Sequence, residues 1–158
     1  MLRSFYEVEC WRGGVCIWQD AFYNLVTTAG RNNLLDRGFK AGGAANAWFV
    51  GLVDNASFTA YAAADTMASH AGWLESSVYA NATRPAYVGA APVAGSMDNS
   101  ASKAVFTINA SGSVKGAFLT DSSVVNGAVG TLYGVGSLAA VRTVTSGDTL
   151  NITITLTD

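Results

Sequence analysis

Alternating apolar and polar positions open the chain and predict a β-hairpin over residues 1–26. Between residues 4 and 12 the side chains alternate between two faces with a period of two residues, which is typical of a strand. Gly13-Gly14 favours a turn, and the chain then resumes with β-branched and aromatic residues up to Val26. The alternating positions on the first face are Tyr6, Val8 and Cys10.

The next segment predicts one short helix near residues 28–39. Thr27-Thr28 offers a threonine as N-cap, and Gly38 with Gly42-Gly43 indicates where the helix ends. Leu35 and Phe39 lie one turn apart with Leu34 beside them, which gives the helix one apolar face.

From residue 47 onward, short apolar or alternating stretches recur roughly every ten residues between Gly, Ser, Asn and Asp turns. This spacing predicts a mainly β fold, an antiparallel, jelly-roll-like β-sandwich with one face of each sheet in water. We expect one compact domain, with the hairpin of residues 1–26 followed by the sandwich of 27–158. Residues 60–71 are compatible with helix or loop. The expected strands are 47–53, 87–89, 104–109, 114–119, 131–135, 141–145 and 149–157, with loops at 92–102 and 121–130.

Charge is scarce, at 13% of residues, and nine of the twenty charged side chains lie in the first forty positions. The remaining surface is therefore expected to be small and neutral. Natural monomers usually protect sheet edges with charge, so we infer that the edges of this protein are covered in its native assembly.

Composition also argues against several function classes. The net charge is −2 and the basic residues do not cluster, which disfavours nucleic-acid binding. No apolar run approaches the ~20 residues of a membrane span. Charges stand where a signal peptide has its apolar stretch, so we expect synthesis in a reducing cytoplasm. A three-residue loop at 12–14 would place Cys10 opposite Cys16, but we expect two free, packed thiols.

Candidate catalytic and ligand-binding motifs are weak. Asp65, Ser69 and His70 contain the residue types of a triad, but they lie too close in sequence and lack a nucleophile elbow. Residues 134–139 match G-x-G-x-x-A but precede an expected strand. The turns at Asp54, Asp98 and Asp121 lack the D-x-D-x-D-G spacing of a calcium-binding loop. Glu75 has no partner at a spacing that favours glycoside hydrolysis. We therefore predict a non-enzymatic protein without catalytic residues, metal or cofactor.

The aromatic hairpin is the candidate interface. Both of its faces carry aromatic rings, more than one core can bury, and aromatic and Arg side chains anchor many interfaces. One face packed inward with the other merely exposed is an equally good interpretation. Trp11 and Arg12 at the tip are the expected anchors. The candidate interface residues are Phe5, Tyr6, Trp11, Arg12, Trp18 and Tyr23.

Three stretches resemble a family of small tailed-bacteriophage virion proteins. Residues 24–36, NLVTTAGRNNLLD, resemble its helix entry N-L-V-T-x-x-G-x-x-x-L-L. Residues 69–75, SHAGWLE, with ATRP at 82–85, resemble its H-A-G-W-x-E…A-T-R-P stretch, and VTSGDTL at 144–150 resembles the turn before its last strand. The resemblance covers roughly residues 24–158 and leaves the hairpin outside.

This resemblance implies a virion structural protein made in the bacterial host cytoplasm. Low charge and a single β domain favour a capsid decoration, or cement, protein on the outer shell. Its expected partners are the major capsid protein and itself, as a homo-oligomer and most simply a trimer, because cement proteins stabilise an assembled lattice by mass action. The alternative is a tail, fibre or baseplate component that contacts a host receptor. Glycan binding on Trp48 or Trp73 would distinguish it, although core packing is the favoured role of both.

Overall fold

The computed structural model describes residues 2–40 and 46–158. It contains two antiparallel sheets and one helix, which confirms the predicted β-sandwich. Sheet A comprises β1 (Arg3–Arg12), β2 (Val15–Tyr23), β7 (Ser96–Asp98), β8 (Ala104–Thr107) and β11 (Thr149–Thr157). Sheet B comprises β3 (Leu25–Val26), β4 (Trp48–Asp54), β5 (Glu75–Ser76), β6 (Ala86–Tyr87), β9 (Gly112–Thr120) and β10 (Leu132–Val144). The helix α1 is Thr28–Phe39, and a short 3-10 turn spans Ser100–Ser102.

The N-terminal hairpin is an integral part of sheet A. The order of that sheet is β2-β1-β11, and β7 and β8 both pair with the other side of β11. β1 therefore lies between two strands, and Tyr6, Val8 and Cys10, which the alternation placed on one face, are buried against sheet B. From β11, which is the most regular of the predicted strands, Leu150, Ile152 and Ile154 fill the same core.

Sheet B is buried on both faces, which corrects the expectation that one face of each sheet meets water. Its strand order is β3-β10-β9-β4, with β5 and β6 beside β4. In β9, Leu119 points into the core between the sheets, whereas Phe118 belongs to a second apolar cluster. The connection between β4 and β5 covers that cluster through Met67 and Trp73. Residues 60–71 form turns and bridges within this cover and contain no helix.

Three segments differ from the expected boundaries. The hairpin expected over 1–26 ends at Tyr23, and Leu25–Val26 forms β3, which pairs with β10 in sheet B. The stretches at 131–135 and 141–145 are parts of one strand, β10, whose pairing with β9 is irregular between Ser137 and Arg142. The expected loop at 92–102 contains β7 and the 3-10 turn, because Met97 and its neighbours pair with the end of β11.

The hairpin turn contains two residues, which separates the cysteines. Gly13 and Gly14 have φ values of 56° and 81°, a backbone region that glycine enters without steric cost. A bulge between Cys10 and Trp11 then pairs Trp11 with Cys16, so that Cys10 lies opposite Trp18. Both thiols are free. Cys10 is buried in the core, and burial raises its pKa to about 12, whereas Cys16 is exposed rather than packed as expected.

Candidate functional site

The predicted interface residues of the hairpin divide between core and surface. Tyr6 is completely buried and stacks on Phe22 with ring centroids 4.9 Å apart, so it has no surface to offer a partner. Its interface assignment is therefore corrected: it lies on the inward face of a central strand. Phe5 and Tyr23 form a second aromatic pair, 5.0 Å apart, on the outward face, where Tyr23 is 67% exposed.

The tip residues Trp11 and Arg12 are engaged within the fold. Arg12 donates two hydrogen bonds to Asp148, at 2.6 Å and 2.9 Å, and this guanidinium lowers the pKa of Asp148 to about 2. The indole of Trp11 donates to Glu9 at 3.2 Å. Half of the Arg12 side chain remains exposed, but its charge is paired with a buried carboxylate. The tip is therefore a fixed corner of the sandwich.

Strand β2 is the exposed edge of sheet A. In the part of the chain that the structure describes, it pairs with β1 alone, and only Phe22 of its nine residues is buried. Asp20 interrupts this edge at its middle, where it accepts hydrogen bonds from Arg142 and from its own neighbour, Ala21. Trp18, half-buried, lies under the Arg142 guanidinium at 5.5 Å. Val15 and Ile17 stay exposed on the tip side of Asp20.

Helix α1 is attached to sheet B by polar and backbone contacts. Thr27 caps the helix by accepting a hydrogen bond from the Gly30 amide at 3.0 Å, and its hydroxyl donates to the Leu132 carbonyl. Gly30 is the one buried residue of the helix, and a β-carbon there would lie 2.3 Å from the Tyr133 carbonyl oxygen. The helix therefore packs closely against β10 at Gly30, where there is no side chain.

This attachment leaves the leucine side of α1 facing an open apolar groove of about 640 Å³. Leu35 is 57% exposed and Phe39 is 90% exposed, although both belong to the predicted apolar face. The groove runs between α1 and the segment that leads into β7, over a floor that includes Trp48 and Tyr133. We call it the α1 groove. Its lining residues are Leu2, Arg31, Leu34, Leu35, Phe39, Trp48, Pro92, Gly95, Ser96, Met97, Leu119, Tyr133, Leu156 and Asp158.

Arg31 lies where the α1 groove adjoins a second concavity of about 440 Å³, beside Tyr23 and Leu25. Its guanidinium is exposed and makes a long hydrogen bond, 3.5 Å, to the Thr28 hydroxyl. Arg31 is the only basic side chain among the described residues that line the groove. The apolar groove therefore adjoins a region with two exposed arginines, Arg31 at the groove and Arg3 in the second concavity.

The residues considered for catalysis have structural partners. The His70 ring lies 4.0 Å from the Trp73 ring and its Nδ1 contacts the Trp73 carbonyl at 2.9 Å, while Asp65 accepts a hydrogen bond from the Trp73 indole. The histidine thus contacts neither carboxylate nor hydroxyl in the manner of a triad. Trp73 is buried, which leaves no ring face for a glycan, and Trp48 lies in the floor of the α1 groove.

Two charged residues of the quoted motifs, Glu75 and Arg84, form a buried ion pair, which we call the brace. Arg84 donates to both carboxylate oxygens of Glu75, at 2.8 Å and 2.7 Å, and to the Ser122 carbonyl. The Glu75 carboxylate also accepts from the Asn126 amide. The charges of Glu75 and Arg84 are therefore inside the protein, where they hold the 121–130 loop against the segment that covers sheet B.

Sequence reasoning missed both the α1 groove and the brace, although Glu75 and Arg84 of the brace and three groove residues, Arg31, Leu34 and Leu35, lie in the quoted motifs. In A-T-R-P the arginine pairs with the glutamate of H-A-G-W-x-E, and in the helix entry the threonine and glycine hold α1 on β10. The signal in the sequence for the brace was the presence of one glutamate, Glu75, and one arginine, Arg84, in an otherwise neutral stretch. The leucine stripe of α1 was the signal for the groove.

Comparisons with known proteins add no relative, because no protein family, curated protein or solved structure matches this chain. Residues 2–40 and 46–158 contain no group of three or more His, Cys, Asp and Glu side chains placed to hold a metal ion. Among the same residues, no helix has the length and apolar character needed to cross a bilayer.

Proposed function

We propose that this chain is a non-enzymatic structural protein of a bacteriophage virion, a capsid decoration protein that binds and stabilises the assembled shell as a homo-oligomer. The observation that carries the proposal is the open edge strand β2, which exposes Val15, Ile17 and Tyr23 and has no lysine to discourage pairing. An open edge with exposed apolar side chains is a site where another chain adds a strand or packs against it, and the charge of Asp20 in this strand is paired with Arg142.

The placement of charge supports an assembly role. Several of the charged groups form pairs inside the protein, such as Arg84 with Glu75 and Arg142 with Asp20. The side chains that β2 itself exposes are therefore mostly apolar or neutral, whereas the neighbouring strand β1 also exposes Glu7. Such a surface suits contacts that are buried on assembly, which is how a lattice-bound protein shifts the equilibrium towards the intact shell.

The copy number of the protein in purified virions tests this function. Quantitative mass spectrometry against the major capsid protein should give a count comparable to that of the capsid protein. A count of a few to a few tens per particle would favour the tail, fibre or baseplate alternative, and absence from the virion would reject both.

A matched pair of substitutions tests the role of the β2 edge. Ile17→Lys adds charge to the exposed edge, where lysine opposes strand pairing, and should reduce incorporation into virions at least tenfold. Val129→Lys makes a comparable change at an exposed position of the 121–130 loop and should incorporate normally. Both variants should melt within a few degrees of the parent, because exposed substitutions rarely alter stability much. Equal incorporation of the two variants would reject β2 as the contact.

A further inference from the structure

We propose that the α1 groove binds a single-chain anionic amphiphile of the long-chain carboxylate class, with its head group at Arg31 and its alkyl chain along the apolar floor. The size of the groove fits such a ligand. Its volume of about 640 Å³ lies within the range of ~300–1,000 Å³ that is usual for small-molecule sites. This inference does not depend on the capsid assignment, because it concerns residues outside β2 and the isolated protein.

The lining favours an alkyl chain over a peptide. A polypeptide laid in the groove would bring N–H and C=O groups that need hydrogen-bond partners once they leave water. Among the described residues that line the groove, Ser96 alone has an aliphatic hydroxyl. Apart from Arg31, the side chains of α1 in this lining are Leu34, Leu35 and Phe39. An alkyl chain needs no such partners and gains by covering those side chains.

The charge at the groove selects the head group. Arg31 is exposed at the junction with the second concavity, and a guanidinium binds a carboxylate through charge-assisted hydrogen bonds. A carboxylate head group is therefore drawn to Arg31, and the alkyl chain then lies along the apolar lining of the groove.

Isothermal titration calorimetry of the purified full chain with dodecanoate, below its micelle concentration, tests the site. We expect one dodecanoate per chain, and we expect dodecyltrimethylammonium, which has the same chain and the opposite charge, to bind at least tenfold more weakly. Shortening the carboxylate to decanoate should weaken binding by about fourfold per methylene removed, the factor expected for apolar burial. No saturable binding of dodecanoate, or equal binding of the cationic amphiphile, would overturn the proposal.

Variants locate the binding. Arg31→Gln should abolish the preference for the carboxylate, and Leu35→Gln should weaken dodecanoate binding about tenfold. Val129→Gln is the matched control, since it removes a similarly exposed apolar side chain outside the groove, and its affinity should equal that of the parent. Equal affinity of Leu35→Gln and Val129→Gln would show non-specific binding and overturn the site. Binding that appears only when an oligomer dissociates would assign the groove to a second copy and overturn it as well.

Failure here and failure of the proposed function are separable. Loss of dodecanoate binding in Leu35→Gln with normal virion incorporation supports a ligand site apart from the docking edge. Normal binding in Ile17→Lys, combined with loss of incorporation, identifies β2 as the docking edge and leaves the amphiphile site intact.

Discussion

The brace and helix α1 differ in which kinds of side chain they bury. In the brace, Arg84 and Glu75 are almost fully buried, with side-chain exposures of 0% and 4%. In α1, the residue that is buried is Gly30, while Leu35 and Phe39 remain in water. The same chain therefore encloses an ion pair and exposes two large apolar side chains.

The comparison shows that residue type did not decide burial in either region. A buried ion pair is tolerated because each polar atom has a partner: the guanidinium has Glu75 and the Ser122 carbonyl, and the carboxylate also has the Asn126 amide. The leucine side of α1 is open because the contact with β10 is made through Thr27 and Gly30 on another side of the helix. The way in which α1 approaches β10 therefore decided which face of the helix is buried.

The largest expected effect comes from breaking the brace. Arg84→Met leaves the Glu75 carboxylate buried without its counter-charge, and should lower the free energy of unfolding by ~3–5 kcal/mol. Lys40→Met is the control, since it removes an exposed partner of Asp36 and should cost less than ~1 kcal/mol. Urea unfolding of both variants measures the difference. Similar losses in the two would mean that the brace contributes no more than a surface pair.

A smaller effect is expected from the two glycines of α1. Gly30→Ala places a methyl group against the Tyr133 carbonyl and should destabilise the protein by ~1–3 kcal/mol. Gly38→Ala meets no atom within 4 Å and should stabilise it by ~0.5–1 kcal/mol through helix propensity. Thermal unfolding of the two variants shows whether each substitution raises or lowers the stability of the protein. If Gly30→Ala were neutral, the helix would not depend on its close approach to β10, and the comparison with the brace would fail.

The Arg12–Asp148 pair should show an effect confined to acid pH. Asp148 has a folded pKa of about 2, below its ordinary value of 3.8, so its stabilising contribution is complete above about pH 4 and is lost as the pH falls towards 2. Asp148→Asn should cost ~1–3 kcal/mol at pH 7, because the Arg12 guanidinium and the Thr145 amide lose a charged acceptor. The difference between parent and variant should shrink between pH 4 and pH 2, and a difference that stayed constant would contradict the assignment. Because other carboxylates titrate in both proteins, the difference isolates this pair.

Local patterns predicted much of the fold and little of the candidate sites. The alternation of β1 and β11 separated the residues of one face from those of the other, since a strand has a period of two wherever one face is buried. The N-cap at Thr27 was also predicted, because capping depends on residues within one turn. The α1 groove was not, because it is lined by residues from both ends of the chain, such as Leu2 and Leu156, that only the folded topology brings together.

By itself, the sequence determined the fold class, the positions of most strands and the start of the helix, because these depend on local hydrogen bonding and on the period of apolar residues. The tertiary structure decided that sheet B is covered on both faces and that Tyr6 lies in the core. It also decided that Arg84 meets Glu75 and that the leucines of α1 line an open groove. These outcomes depend on contacts between distant segments, whose register and approach no short stretch of residues encodes.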